Sequence, residues 1–179
     1  MNSFCYSLAM NSTPDAAAAF SENLGEVLRK NGVQEALRHL NAGVPHRYTA
    51  VFVLDGDLLR NLYMVDKLGE ARPEQLAVVP LGSSFCQFVL RDGRLCTEDS
   101  REERLLDGSP YQGMVIAYHG VPLTHGDGRL AGTLCHFDLV RQSLSEAQFE
   151  RLQQAARLLS EHVLRAASPR LPDQPGATA

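Results

Sequence analysis

The sequence predicts a layered α+β fold in which helices from both ends of the chain flank an antiparallel sheet. Three observations lead there. Apolar residues recur at helical spacing near both termini, β-rich runs fill the middle, and those runs are broken by Gly56-Asp57 and Asp127-Gly128, pairs suited to tight hairpin turns. With 179 residues, 44% hydrophobic and 21% charged, the chain has the size and balance of one domain with a sizeable core, expected over 13–167. Residues 1–12 and the Pro-rich stretch 168–179 are expected to be disordered tails.

Each element has a local reason. Thr13-Pro14-Asp15 reads as a helix start, with a capping hydroxyl, a proline at the first helical position and an acid favoured by the helix dipole. Ala17, Phe20, Leu24, Val27 and Leu28 continue at helical spacing until Asn31-Gly32 interrupts. A second helix, carrying Val33, Ala36, Leu37 and Leu40, runs to about Asn41. TAVFVLD (49–55) and LLRNLYMVD (58–66) then form a hairpin across Gly56-Asp57. After a loop with Pro73 and Pro80, Ser83 or Ser84 caps a short helix that Asp92-Gly93 ends. RLCTED (94–99) is a short strand, and 100–115 reads as an irregular loop with one or two helical turns.

AYHGVPLTHGDGRLAGTLCHFD (117–138) is the second hairpin. With the turn at Asp127-Gly128, residues whose numbers sum to 255 face each other: Tyr118 opposite Phe137, His119 opposite His136, Gly120 opposite Cys135. A long helix follows. Ser143 with Glu146, or Ser145 with Gln148, makes a capping box. Phe149, Leu152, Ala156, Leu159, Val163 and Ala166 form one apolar stripe.

Several function classes are disfavoured at once. A net charge of -4 and a pI near 5.8 argue against nucleic acid, which selects a concentrated basic surface. No apolar run approaches membrane-spanning length, and the N-terminus has no basic region before its short apolar patch. Cys5, Cys86, Cys96 and Cys135 show neither CxxC spacing nor a regular framework, so a cytoplasmic protein with reduced thiols is expected. No glycine-rich phosphate loop and no GxSxG nucleophile elbow occurs.

PLGSSFC (80–86), the strand ending at Asp99, AYHGVPL (117–123), the DGR turn at 127–129 and GTLCHFD (132–138) occur in an order and spacing that resembles a GAF domain of the bacterial sensory type. The resemblance covers roughly 20–166. It implies a central antiparallel sheet of five or six strands, terminal helices on one face, and on the other a small-molecule pocket under the 83–92 helix and the 100–116 loop. It further implies a homodimer through the terminal helices and, with no output domain after the last helix, a signal passed to a partner protein. The cofactor or ligand is unknown. Two of the family's ligand classes are disfavoured: the loop before the fourth strand lacks the cysteine that attaches a bilin, and the Asn-Lys-Phe-Asp-Glu signature of cyclic-nucleotide GAF domains is absent. The related free methionine-(R)-sulfoxide reductases use a cysteine like Cys86, but their partner cysteines would fall near Leu76 and Pro110.

The candidate ligand-binding residues are Phe85, Cys86, Val89, Asp99, Tyr111, Met114, Tyr118, His119, Thr133, Cys135, His136 and Phe137, an apolar set with a few polar groups. Tyr118 and Phe137 equally suit a cross-strand aromatic pair. Facing imidazoles at 119 and 136, with β-carbons ~4.5–5.5 Å apart, make a weak metal candidate with Asp138 or Asp99 as third ligand, or a proton switch near pH 6–7. Cys86 at a helix start has a route to a lowered pKa. Three readings follow: a non-enzymatic sensor that binds a small molecule, a redox-active thiol enzyme or sensor using Cys86 with Cys96 or Cys135, and a structural adaptor without ligand. No complete catalytic set supports an enzyme.

Overall fold

The computed structural model describes residues 14–167 apart from 72, so the expectations for the two tails and for a Thr13 cap lie outside the described residues. The chain runs α1 (Pro14–Ala42), β1 (Tyr48–Asp55), β2 (Leu58–Asp66), β3 (Val78–Pro80), α2 (Cys86–Asp92), β4 (Leu95–Thr97), β5 (Ala117–Thr124), β6 (Leu130–Asp138) and α3 (Glu146–Ala167), with four single 3₁₀ turns between. The strands form one antiparallel sheet in the order β3-β2-β1-β6-β5-β4.

The two N-terminal helices are contiguous, but Gly32 breaks them with φ 82 and ψ −178, a conformation that glycine adopts without a β-carbon penalty. Across β5 and β6 the register is the one the turn dictates, from Ala117↔Asp138 to Leu123↔Gly132; it then slips by one residue before the turn. The β1–β2 hairpin closes at Asp55↔Leu58. At α3 it is Ser145 and Gln148 that make the box: Gln148 N donates to Ser145 Oγ (3.3 Å), and Ser145 N donates to Gln148 Oε1 (3.0 Å).

One expectation at α2 needs correction. No side chain caps it, because Ser83 Oγ donates to Pro80 O (3.3 Å) and Ser84 Oγ to Leu81 O (2.8 Å), closing the preceding turn instead.

Strand alternation sorts the core into two layers. Val51, Val121, Leu123 and Leu134 face α1 and α3, where they meet Leu24, Leu37, Leu40, Leu152, Leu159 and Val163. Most of the α3 stripe is therefore consumed within the chain, and Ala166 stays exposed. Phe52, Tyr118, Cys135 and Phe137 face the other way, into a second core closed by Phe85, Cys86 and Val89 of the α2 region and by Leu106.

Candidate functional site

The face away from α1 and α3 holds a cavity of about 40 Å³, lined by Phe52, Leu76, Val79, Ser84, Phe85, Cys86, Tyr111, Val115, Tyr118 and Phe137. Three features shape it. α2 and the 3₁₀ turn before it lay Ser84, Phe85 and Cys86 over the sheet. The 100–116 loop brings in Tyr111 and Val115, pinned where Ser109 Oγ donates to Ser83 O (2.6 Å) and Ser100 Oγ donates to Val115 O (2.7 Å). Tyr118 lies flat along its own strand: a β-carbon on Gly120 would come within 2.7 Å of its ring, so glycine leaves the space the tyrosine occupies. Phe85 meets that ring edge-on at 5.5 Å, and Phe137 stacks on Tyr48 at 4.7 Å rather than on Tyr118.

The polar groups at this wall are neutral. Cys86 is the first residue of α2, but burial raises its thiol pKa instead of the helix start lowering it; Thr133 Oγ1 donates to the sulfur (3.2 Å) and the Tyr118 hydroxyl lies 3.4 Å away. Burial likewise pushes the Tyr118 hydroxyl and the Cys135 thiol well above their ordinary values, and that of Tyr111 upward. The activated-thiol expectation is thereby reversed.

Of the residues singled out from the sequence, Phe85, Cys86, Tyr111, Tyr118 and Phe137 line the cavity. Val89, Thr133 and Cys135 are buried on the same side of the sheet without lining it. Met114 is 46% exposed. Asp99 is buried and bound by Arg101 through Nε (2.8 Å) and Nη2 (2.5 Å), which holds its carboxyl at about 2. Phe52, Leu76, Val79, Ser84 and Val115 were missed. Phe52 shares strand parity with Tyr48 and Ala50, but only its non-local pairing with Thr133 brings it here.

His119 and His136 lie on the opposite, helix-facing side. They are paired in register as expected, but a third imidazole that the sequence reading missed joins them. His46, in the loop between α1 and β1, places Nε2 3.0 Å from His119 Nδ1, and its ring centroid lies 5.9 Å from that of His136. His136 Nδ1 lies 2.7 Å from Thr49 Oγ1, which accepts from Asn41 Nδ2 (2.7 Å). All five side chains are buried. Burial lowers His46 to about 4, against an opposing pull from Asp138, lowers His119 to about 3, and lowers His136 well below 6.5. The cluster is thus neutral near pH 6–7, which removes the expected switch at that pH. The expected third metal ligands are engaged elsewhere: Asp99 with Arg101, and Asp138 as acceptor from the backbone N–H groups of Arg47, Leu139 and Val140. Among the described residues no group of three or more His, Cys, Asp or Glu is placed to hold a metal ion.

With this geometry in place, the chain can be set beside known proteins. No family model matches it, and neither does any curated protein. Solved structures do. The GAF domain of the Acinetobacter phosphoenolpyruvate-protein phosphotransferase superposes with a TM-score of 0.68 at 13% identity, over 84% of this chain and 94% of that one. The free methionine-R-sulfoxide reductase of Neisseria meningitidis gives 0.65 at 15%, over 90% and 97%. The type II enzyme of Thermoplasma acidophilum gives 0.61 at 17%, over 82% and 96%. The fold is of the GAF type, an architecture that these neighbours show in both a phosphotransferase domain and reductases. Among the described residues no helix is long and apolar enough to cross a membrane.

Proposed function

We propose that this chain is a sensory module of GAF type that binds one compact, uncharged, largely apolar small molecule under α2, widening the present 40 Å³ cavity as it enters, and reports its occupancy to a partner protein. The observation that carries this reading is the lining of the cavity: ten residues, none of them charged, whose thiol and phenol groups burial keeps neutral. A charged ligand would surrender its hydration there and find no countercharge in return. That disfavours a zwitterionic amino acid such as methionine sulfoxide, and equally the phosphate of a cyclic nucleotide. The raised Cys86 pKa also withholds the thiolate that redox chemistry needs.

The module is proposed to act in the cytoplasm as a homodimer. Its contact would use helix surface other than the buried Leu152–Val163 stripe.

Native mass spectrometry, compared with the same sample denatured, tests the reading, together with thermal shift against indole, phenol, methionine sulfoxide and cyclic GMP. The expected result is a non-covalent mass lost on denaturation, or a Tm raised by the uncharged probes alone. Stabilisation by the charged probes, or turnover of methionine sulfoxide abolished by Cys86→Ser, would overturn it.

A further inference from the structure

We propose that the histidine cluster on the helix-facing side of the sheet is a binding site for one buried water molecule, held between His136 Nε2 and His46 Nδ1. Proton bookkeeping along the chain of hydrogen bonds leads there. Asn41 Nδ2 is turned toward three acceptors, the carbonyls of His46 (3.3 Å) and Arg47 (3.5 Å) and the Thr49 hydroxyl oxygen (2.7 Å). Two of these are carbonyls, which accept only, so the amide nitrogen is correctly on this side. Thr49 therefore accepts from Asn41, and because its buried hydroxyl proton also needs an acceptor, which Asn41 Nδ2 cannot be, the proton goes to His136 Nδ1, 2.7 Å away. That leaves the ring proton of His136 on Nε2, as a donor.

This donor is fully buried and has no hydrogen-bond partner among the described residues, and the same is true of His46 Nδ1. The two rings are neighbours, with centroids 5.9 Å apart and planes 33° from parallel. Buried polar atoms left in this state are rare and costly, and an internal water commonly satisfies them.

The chemistry of the two nitrogens selects the occupant. A cation would need a lone pair from each ring, but Thr49 has placed a proton on His136 Nε2. An anion would need a donor on both sides, and His136 Nε2–H is the one ring proton whose position Thr49 fixes here. Water accepts from His136 Nε2–H and donates to His46 Nδ1. His46 then carries its proton on Nε2 and donates it to His119 Nδ1 at 3.0 Å. The whole series runs in one direction, Asn41 to Thr49 to His136 to water to His46 to His119, with all three rings in the Nε2–H tautomer. It joins the last turn of α1 to β1, β6 and β5 through polar contacts inside a mostly apolar layer.

Long-range ¹H–¹⁵N correlation on the uniformly labelled full chain at pH 7 reads the three tautomers directly. A water-selected NOE experiment reads the occupant, and elemental analysis of the same sample reads metal. The expected result is three neutral Nε2–H rings, a cross-peak from bound water to His136 Hε2, and less than a tenth of an equivalent of any transition metal. A His136 protonated at Nδ1, a His136 Hε2 with no water cross-peak, or one equivalent of bound metal would each overturn the proposal. Because it needs no ligand in the cavity on the other face, its outcome is independent of the sensory reading.

Discussion

Acid is the perturbation to which this fold should be most sensitive, and the sensitivity can be worked out from three residues. His46, His119 and His136 are buried and neutral, with folded-state pKa values near 4, near 3 and well below 6.5. In the unfolded chain each returns to about 6.5. The unfolded state therefore binds more protons throughout this range, and stability falls as pH falls through 6.5. With folded values near 4 and near 3, His46 and His119 each contribute about 2 kcal/mol less stability at pH 5 than at pH 7, and His136 adds to the loss in the same direction. Domains of this kind have roughly 5–15 kcal/mol in total. His46 and His119 alone make the loss approach about 3 kcal/mol per pH unit near pH 5, the slope for two protons, and His136 steepens it. Asp66 and Asp99 do not contribute in this window, since depressed carboxylates lose stability only below their unfolded value of 3.8. The assay is urea unfolding followed by circular dichroism between pH 7.5 and 5, because the chain has no tryptophan to report by fluorescence. His119→Leu should reduce the slope by about one proton's share. A stability that is flat, or that rises, between pH 7 and 5 would refute the reasoning.

Other outcomes follow from particular contacts. Gly120→Ala puts a β-carbon 2.7 Å from the Tyr118 ring and should cost about 1–3 kcal/mol; in urea unfolding this cost should shrink when Tyr118→Leu is combined with it. Ser145→Ala breaks the capping box of α3 and should cost about 1 kcal/mol, read as a Tm drop of roughly 2–4 °C. In the folded protein at pH 7.5, Cys86 and Cys135 should resist iodoacetamide and react once urea is added, as mapped by peptide mass spectrometry. Rapid alkylation of folded Cys86 would contradict its burial.

What the sequence revealed is what local chemistry controls. Asp127-Gly128 fixed the β5–β6 register, because a tight turn dictates which residues oppose one another. Gly32, Gly93 and the Ser145–Gln148 box marked helix ends for the same reason. The missed features are products of tertiary structure. His46 sits in a Val-Pro-His-Arg loop with no periodicity to mark it, and its partner His119 is 73 residues away. Phe52 joins the cavity wall only because β1 pairs with β6, a choice no hairpin rule makes. The expected reactive Cys86 illustrates the conflict most directly: position at a helix start is a local property, whereas burial under the assembled fold is not, and that burial outweighs the hydrogen bonds from Thr133 and Tyr118 that act to lower the thiol pKa. His119 and His136 could be paired from sequence but not assigned to a face, since both sides of β5 and β6 are buried.

That double burial has a mechanical corollary. Along β5, Tyr118 on the cavity side is followed by His119 on the helix side, and along β6, Cys135 is followed by His136. The sheet here is a partition one peptide thick. The backbone unit that carries Tyr118 into the cavity is bonded directly to the one that carries His119 toward His46, so a single layer of backbone is all that separates the two compartments.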